Sequence, residues 1–122
     1  MRRKGYKGVG CVKQSLSKCE GVCKTYDKIQ TAFAEQLQND RGIISFRCNV
    51  PIDSGDEENQ YTTDFVATKR DNARMVRECV WRKHLSKPLT IRLLDLSRNF
   101  WLAHGVEDWG IVIEREAQDG NE

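Results

Sequence analysis

The chain has no apolar run approaching the roughly 18 residues that a membrane-crossing helix needs, so no membrane partner is expected. Internal repeats and low-complexity tracts are also missing. The opening segment MRRKGYKGVGC is basic but is followed by no apolar stretch, so it does not read as a secretory signal. Histidine is scarce. His84 and His104 have no Ser or Cys partner in a recognisable arrangement, which leaves little support for a hydrolase triad or a small-molecule substrate. Close cysteine pairs of the C-x2-C kind do not occur. Cys11, Cys19 and Cys23 are separated by seven and three residues, and Cys48 or His84 would have to complete any zinc knuckle they form. The five cysteines, with Cys48 and Cys79 on expected strands, read as free thiols in a reducing compartment. No cofactor follows from composition.

What is present describes one globular domain. A length of 122 residues is enough for a single core, and 31% charged with 39% hydrophobic residues excludes wholesale disorder. The net charge of +2 conceals an asymmetry: eight Lys/Arg lie in residues 1–28 against only Glu20 and Asp27. Acidic residues gather instead in the loop Asp53 to Glu58 and in the tail from Glu114. We therefore divide the chain into a basic N-terminal arm (1–24), a domain (25–114) and an acidic tail (115–122). The arm has no sustained helical or strand period. Arg2, Arg3, Lys4, Tyr6 and Lys7 are its candidate partner-binding residues, with a protein the expected partner and DNA an additional contact.

The domain reads as helix, three strands, helix, strand. Ile29, Phe33 and Leu37 mark a helix over about Tyr26 to Gln38, with Thr25 a candidate N-cap. Ile43 to Val50 reads as a strand closed by Pro51. Tyr61 to Thr68 and Arg74 to Val80 form a hairpin. If the hairpin is centred on Asp71, Asp64 stands opposite Glu78, about 5 Å apart at Cβ. Pro88 to His104 carries Leu89, Leu93, Leu96, Phe100 and Ala103 at helical spacing, with Gly105 as its stop. Trp109 to Glu114 is a last, largely buried strand. The expected class is α/β, a mixed central sheet flanked by helices.

The segment Tyr61-Thr62-Thr63-Asp64-Phe65-Val66 resembles the Asp-Phe strand of the PD-(D/E)xK nuclease superfamily, with the nearest likeness to the TnsA-type endonuclease subunit of transposons. Ile43-Ile44-Ser45-Phe46-Arg47, the lead from Lys18 into Tyr26 to Gln30, and Leu93 to Gly105 with Arg98-Asn99-Phe100-Trp101 extend the likeness over roughly residues 15–114. The resemblance implies a restriction-endonuclease-like core in the order α-β-β-β-α-β. It also implies a helix Glu, a strand Asp and a Glu/Gln-x-Lys that together hold Mg²⁺ and orient the attacking water. Asp64 matches the Asp and Glu78 the first position of the third-strand motif. Gln30 stands where the Glu belongs and Val80 where the Lys belongs. Asp27, on the same helix face as Gln30, and Lys83, just past the strand, are the candidate substitutes.

Two outcomes follow from the resemblance. With the Glu and Lys gone, the chain is a non-catalytic structural or DNA-handling subunit of a larger assembly, like the head-completion and neck proteins of tailed phages. It would be cytoplasmic in the host or carried in a virion, without cofactor. With relocated residues it is a Mg²⁺-dependent DNA endonuclease, Asp64 and Glu78 holding the metal. Lys69, Arg70, Arg74, Arg77, Arg82 and Lys83 form a basic stripe that suits phosphate contact in either case. The lost Glu and Lys favour the first outcome.

Overall fold

The structure is a computed structural model and describes residues 11–53 and 61–114. Arg2, Arg3, Lys4, Tyr6 and Lys7, most of the acidic loop and the tail from residue 115 lie outside the described residues. The elements in chain order are β1 (Val12–Gln14), β2 (Cys23–Thr25), α1 (Lys28–Asn39), β3 (Ile43–Ile52), β4 (Tyr61–Lys69), β5 (Arg74–Cys79), α2 (Pro88–Ala103) and β6 (Asp108–Val112). A four-stranded sheet runs β3-β4-β5-β6, antiparallel except for the parallel β5–β6 pair. Parallel neighbours need a crossover, and α2 supplies it. The class is therefore α/β with a mixed sheet and two helices.

The two helices cover opposite faces of β5. Ile29, Phe33, Ala34 and Leu37 of α1 share a core with Phe46, Phe65, Ala67 and Cys79. Leu93 and Trp101 of α2 share another with Val50, Ile52, Tyr61, Val66 and Val76. Val76 and Cys79 have opposite parity on β5, so they point to different faces. Phe65 is wedged between Phe33 and Phe46, with ring centroids 5.3 and 6.1 Å away. Burying side chains of this kind stabilises by about 2–3 kcal/mol each.

The hairpin β4–β5 has the expected register, from Thr68 opposite Arg74 to Phe65 opposite Arg77. Its turn is set by local chemistry: Asp71 Oδ1 accepts the Ala73 N–H at 2.9 Å, and Asn72 takes φ +69°, a conformation Asn tolerates. The β3–β4 hairpin passes from one core to the other midway. Phe46 and Cys48 pack with α1, whereas Val50 and Ile52 pack with α2. The change falls at Asn49, whose φ is +56°.

Four local expectations need correction. β6 is not largely buried: none of Asp108–Val112 is buried, and Ile111 is 41% exposed. Residues 11–24 are not irregular: β1 and β2 pair there, Val12 opposite Thr25, and Cys19 and Cys23 are buried. The cap of α1 is Asp27, whose Oδ1 accepts the Gln30 N–H at 2.9 Å; Thr25 ends β2 and bonds Thr31 instead. Pro51 does not close β3, which runs on to Ile52. β3 is an outer strand of the sheet, where a missing N–H costs no ladder bond.

Candidate functional site

The register that places Phe65 opposite Arg77 brings Asp64 opposite Glu78 at the next step. The backbone ladder gives way there to side chains. Glu78 Oε1 accepts the Asp64 N–H at 3.0 Å, and Asp64 Oδ2 accepts the Cys79 N–H at 2.8 Å. Each carboxylate thus caps a backbone donor of the other strand. Glu78 Oε2 also accepts the Ser97 hydroxyl at 2.6 Å, and Ser97 in turn accepts the Trp109 indole N–H at 3.0 Å. Asp64 is 1% exposed and Glu78 0%. Buried acceptors of this kind hold two strands and a helix in register.

The remaining residues implied by the resemblance are placed as follows. Gln30 is buried on α1, its Oε1 accepting the Tyr26 N–H at 2.8 Å. Val80 is buried just past β5 and continues the parallel pairing through its N–H to Val112 O at 2.9 Å. Asp27 caps α1. Lys83 is exposed on a 3-10 turn, Arg82–His84. Ser97 was missed from sequence, although a signal existed: it lies between Leu93 and Trp101 at spacings of four on the buried face of α2, and a hydroxyl in an apolar stripe needs a partner.

The basic stripe divides into engaged and outward members. Lys69 Nζ and the Arg77 guanidinium both reach the Asp108 carboxylate, at 2.9 and 2.8 Å. Gly110, paired with Arg77, leaves room for that side chain: an added Cβ would meet Arg77 Nε at 3.3 Å. Arg74 lies 5.9 Å over the Trp101 ring and donates to His104 O at 3.2 Å. Arg70 Nε donates to Arg41 O. Arg70, Arg82 and Lys83 are exposed.

Lys69, and then Arg77, hold the Asp108 carboxyl below its ordinary 3.8 against partial desolvation. A depressed acid contributes stability that is fully present above its unfolded pKa and is lost as pH falls through the lower folded value. Asp108→Asn should therefore cost about 1 kcal/mol at neutral pH, a small value because the pair is partly solvated. The gap from wild type should close as urea unfolding is repeated at pH values falling below 3.8.

A second cluster comes from residues far apart in sequence. Cys19, Cys23 and Cys48 bring their sulfurs within 4.8 Å of one another, close enough to hold a metal ion. The Cys23 thiol, by hydrogen bonding, holds Cys48 down at about 6 against burial, with the Lys24 N–H adding 3.4 Å away. Burial pushes Cys19 up to about 11, and bonding to Cys48 together with burial raises Cys23 further. Spacing alone left Cys48 and His84 as alternatives for completing this group, and the pairing of the N-terminal segment with β3 brings in Cys48. Cys11 stands outside: it precedes Val12, which pairs with Thr25, at the end of the small sheet away from Cys23. A scan of protein-family models and a search of curated proteins find no match to this chain.

Proposed function

We propose that this chain is a non-catalytic subunit with a nuclease-like core, serving a structural or DNA-handling role in a larger assembly of the kind that phage head-completion proteins represent. The observation that carries this reading is the commitment of Asp64 and Glu78. A hydrolytic metal site needs carboxylate oxygens facing a cavity with room for water and a phosphate oxygen. Here both carboxylates are buried, and three of their four oxygens accept hydrogen bonds from the Asp64 and Cys79 N–H groups and from Ser97. Gln30 offers no charge to a cation, and the Val80 side chain neither donates a hydrogen bond nor carries charge. The outward Arg70, Arg82 and Lys83 remain able to meet phosphate.

The competing reading is a Mg²⁺-dependent nicking enzyme with Asp27 and Lys83 as replacements. Its support is the convergence of Asp64 and Glu78 themselves. Supercoiled plasmid incubated with the purified chain and Mg²⁺ or Mn²⁺ separates the two. We expect the plasmid to stay supercoiled with wild type and with Asp64→Asn alike. Nicking by wild type that Asp64→Asn abolishes, in a variant still folded by circular dichroism, would overturn the proposal.

A further inference from the structure

We propose that Cys19, Cys23 and Cys48 form a zinc site that clamps the β1–β2 segment onto β3, with a water completing the coordination. The ligands come from three places: the turn between β1 and β2, the first residue of β2, and the middle of β3. A tetrahedral zinc with Zn–S bonds of about 2.3 Å sets its sulfurs about 3.8 Å apart. The three sulfurs already lie within 4.8 Å, so small side-chain rotations close the site.

The backbone is arranged to hold them there. Phe46 pins both neighbours of Cys19, donating its N–H to Lys18 O and accepting the Glu20 N–H, each at 2.9 Å. Cys48 lies two residues along the same strand, and its sulfur accepts the Lys24 N–H at 3.4 Å. Asn49 Nδ2 donates to Lys24 O at 2.9 Å, fixing β2 beside β3. The tight return from Cys19 to Cys23 uses Gly21 at φ +84°, where a side chain would be strained. An N–H directed at sulfur and a glycine-bearing reversal between two thiols are arrangements that serve a thiolate–metal centre.

An all-sulfur donor set selects a soft or borderline cation, and Zn²⁺ accepts a tetrahedron without geometric preference of its own. Cys19 is 8% exposed and Cys23 0%, while Cys48 is half-buried. The open fourth position therefore faces solvent on the Cys48 side. This places the site apart from the Asp64–Glu78 pair, and it stands independently of the proposed function.

The test is cobalt titration of the reduced, metal-stripped full chain. We expect an intense near-ultraviolet thiolate charge-transfer band with the visible bands of tetrahedral Co²⁺, saturating at a single equivalent and displaced by Zn²⁺. Loss of even an outer partner of a metal ligand costs about 10–100-fold in affinity, so Cys48→Ser and Cys23→Ser should each weaken binding at least about 100-fold. Cys11→Ser should bind as wild type. Because Cys23 is buried, Cys48→Ser is the decisive variant, and its fold is checked by circular dichroism. Zn²⁺ should raise the melting temperature of wild type and not of Cys48→Ser. Absence of the bands, bands unchanged in Cys48→Ser, or equal losses in Cys11→Ser and Cys48→Ser would each overturn the site.

Discussion

Glu78→Gln is expected to destabilise the chain by about 2–4 kcal/mol, and Glu78→Ala by about 3–5 kcal/mol. Both Glu78 oxygens accept: one from the Asp64 N–H, the other from Ser97, which itself accepts from Trp109. An amide keeps only one acceptor oxygen and puts an NH2 donor in place of the other, so at least one buried donor loses its partner. Alanine removes both acceptors and leaves a cavity between β5 and α2. Asp64→Asn should cost less, about 1 kcal/mol, because its amide oxygen can still accept the Cys79 N–H. Urea unfolding followed by circular dichroism gives these differences directly. The sign carries the functional meaning. Two carboxylates held together for a metal repel one another in the metal-free chain, so neutralising one would raise stability, as removal of active-site residues commonly does. A gain in stability for Glu78→Gln would favour the enzyme; a loss fits a pair built to hold the sheet together.

That pair was legible in the sequence, and the reason is the hairpin. A five-residue polar linker and two alternating strands fix a register, and register places side chains opposite one another on adjacent strands without further information. The helices were legible for the same kind of reason, through Phe33 and Leu37 on one and Leu93, Leu96 and Phe100 on the other. The buried face of α2 is nevertheless turned to Leu93, Leu94, Ser97 and Trp101, which leaves Leu89 and Ala103 exposed. What escaped depends on pairing between segments that carry no periodic pattern. β1 and β2 have three residues each, too short for alternation to stand out, and Cys19 is buried because its neighbours bond Phe46 across the fold. The choice between Thr25 and Asp27 as cap rests on tertiary contacts, since both are good cap residues two positions apart. Ser97 escaped because it gains its role only when a distant segment arrives, and for the same reason the spacing left Cys48 and His84 both open as the residue completing Cys19 and Cys23.

Trp101→Ala should be the most damaging single truncation in the α2 core, costing about 3–5 kcal/mol. The indole is 5% exposed and packs among Val50, Ile52, Tyr61, Val66, Val76 and Val106. Its N–H donates to the Thr63 hydroxyl at 2.9 Å, so truncation also strands a buried hydroxyl on β4. Phe100 meets the ring edge-on at 5.1 Å, and the Trp101 carbonyl accepts the Val106 N–H at 2.9 Å where the chain leaves α2 for β6. Trp101→Phe keeps most of the apolar volume but loses the hydrogen bond, and should cost about 1–2 kcal/mol. For a domain of this size each kcal/mol lowers the melting temperature by roughly 3–6 °C, so the alanine variant should melt about 10–25 °C lower. Because α1 packs on a separate cluster around Phe33, Phe46 and Phe65, the damage should be uneven. Hydrogen exchange in Trp101→Ala should quicken first in α2 and β6, while α1 and its contacts on β4 keep their protection relative to the lowered global stability. Equal loss of protection in α1 and α2 would show that the two clusters behave as one core.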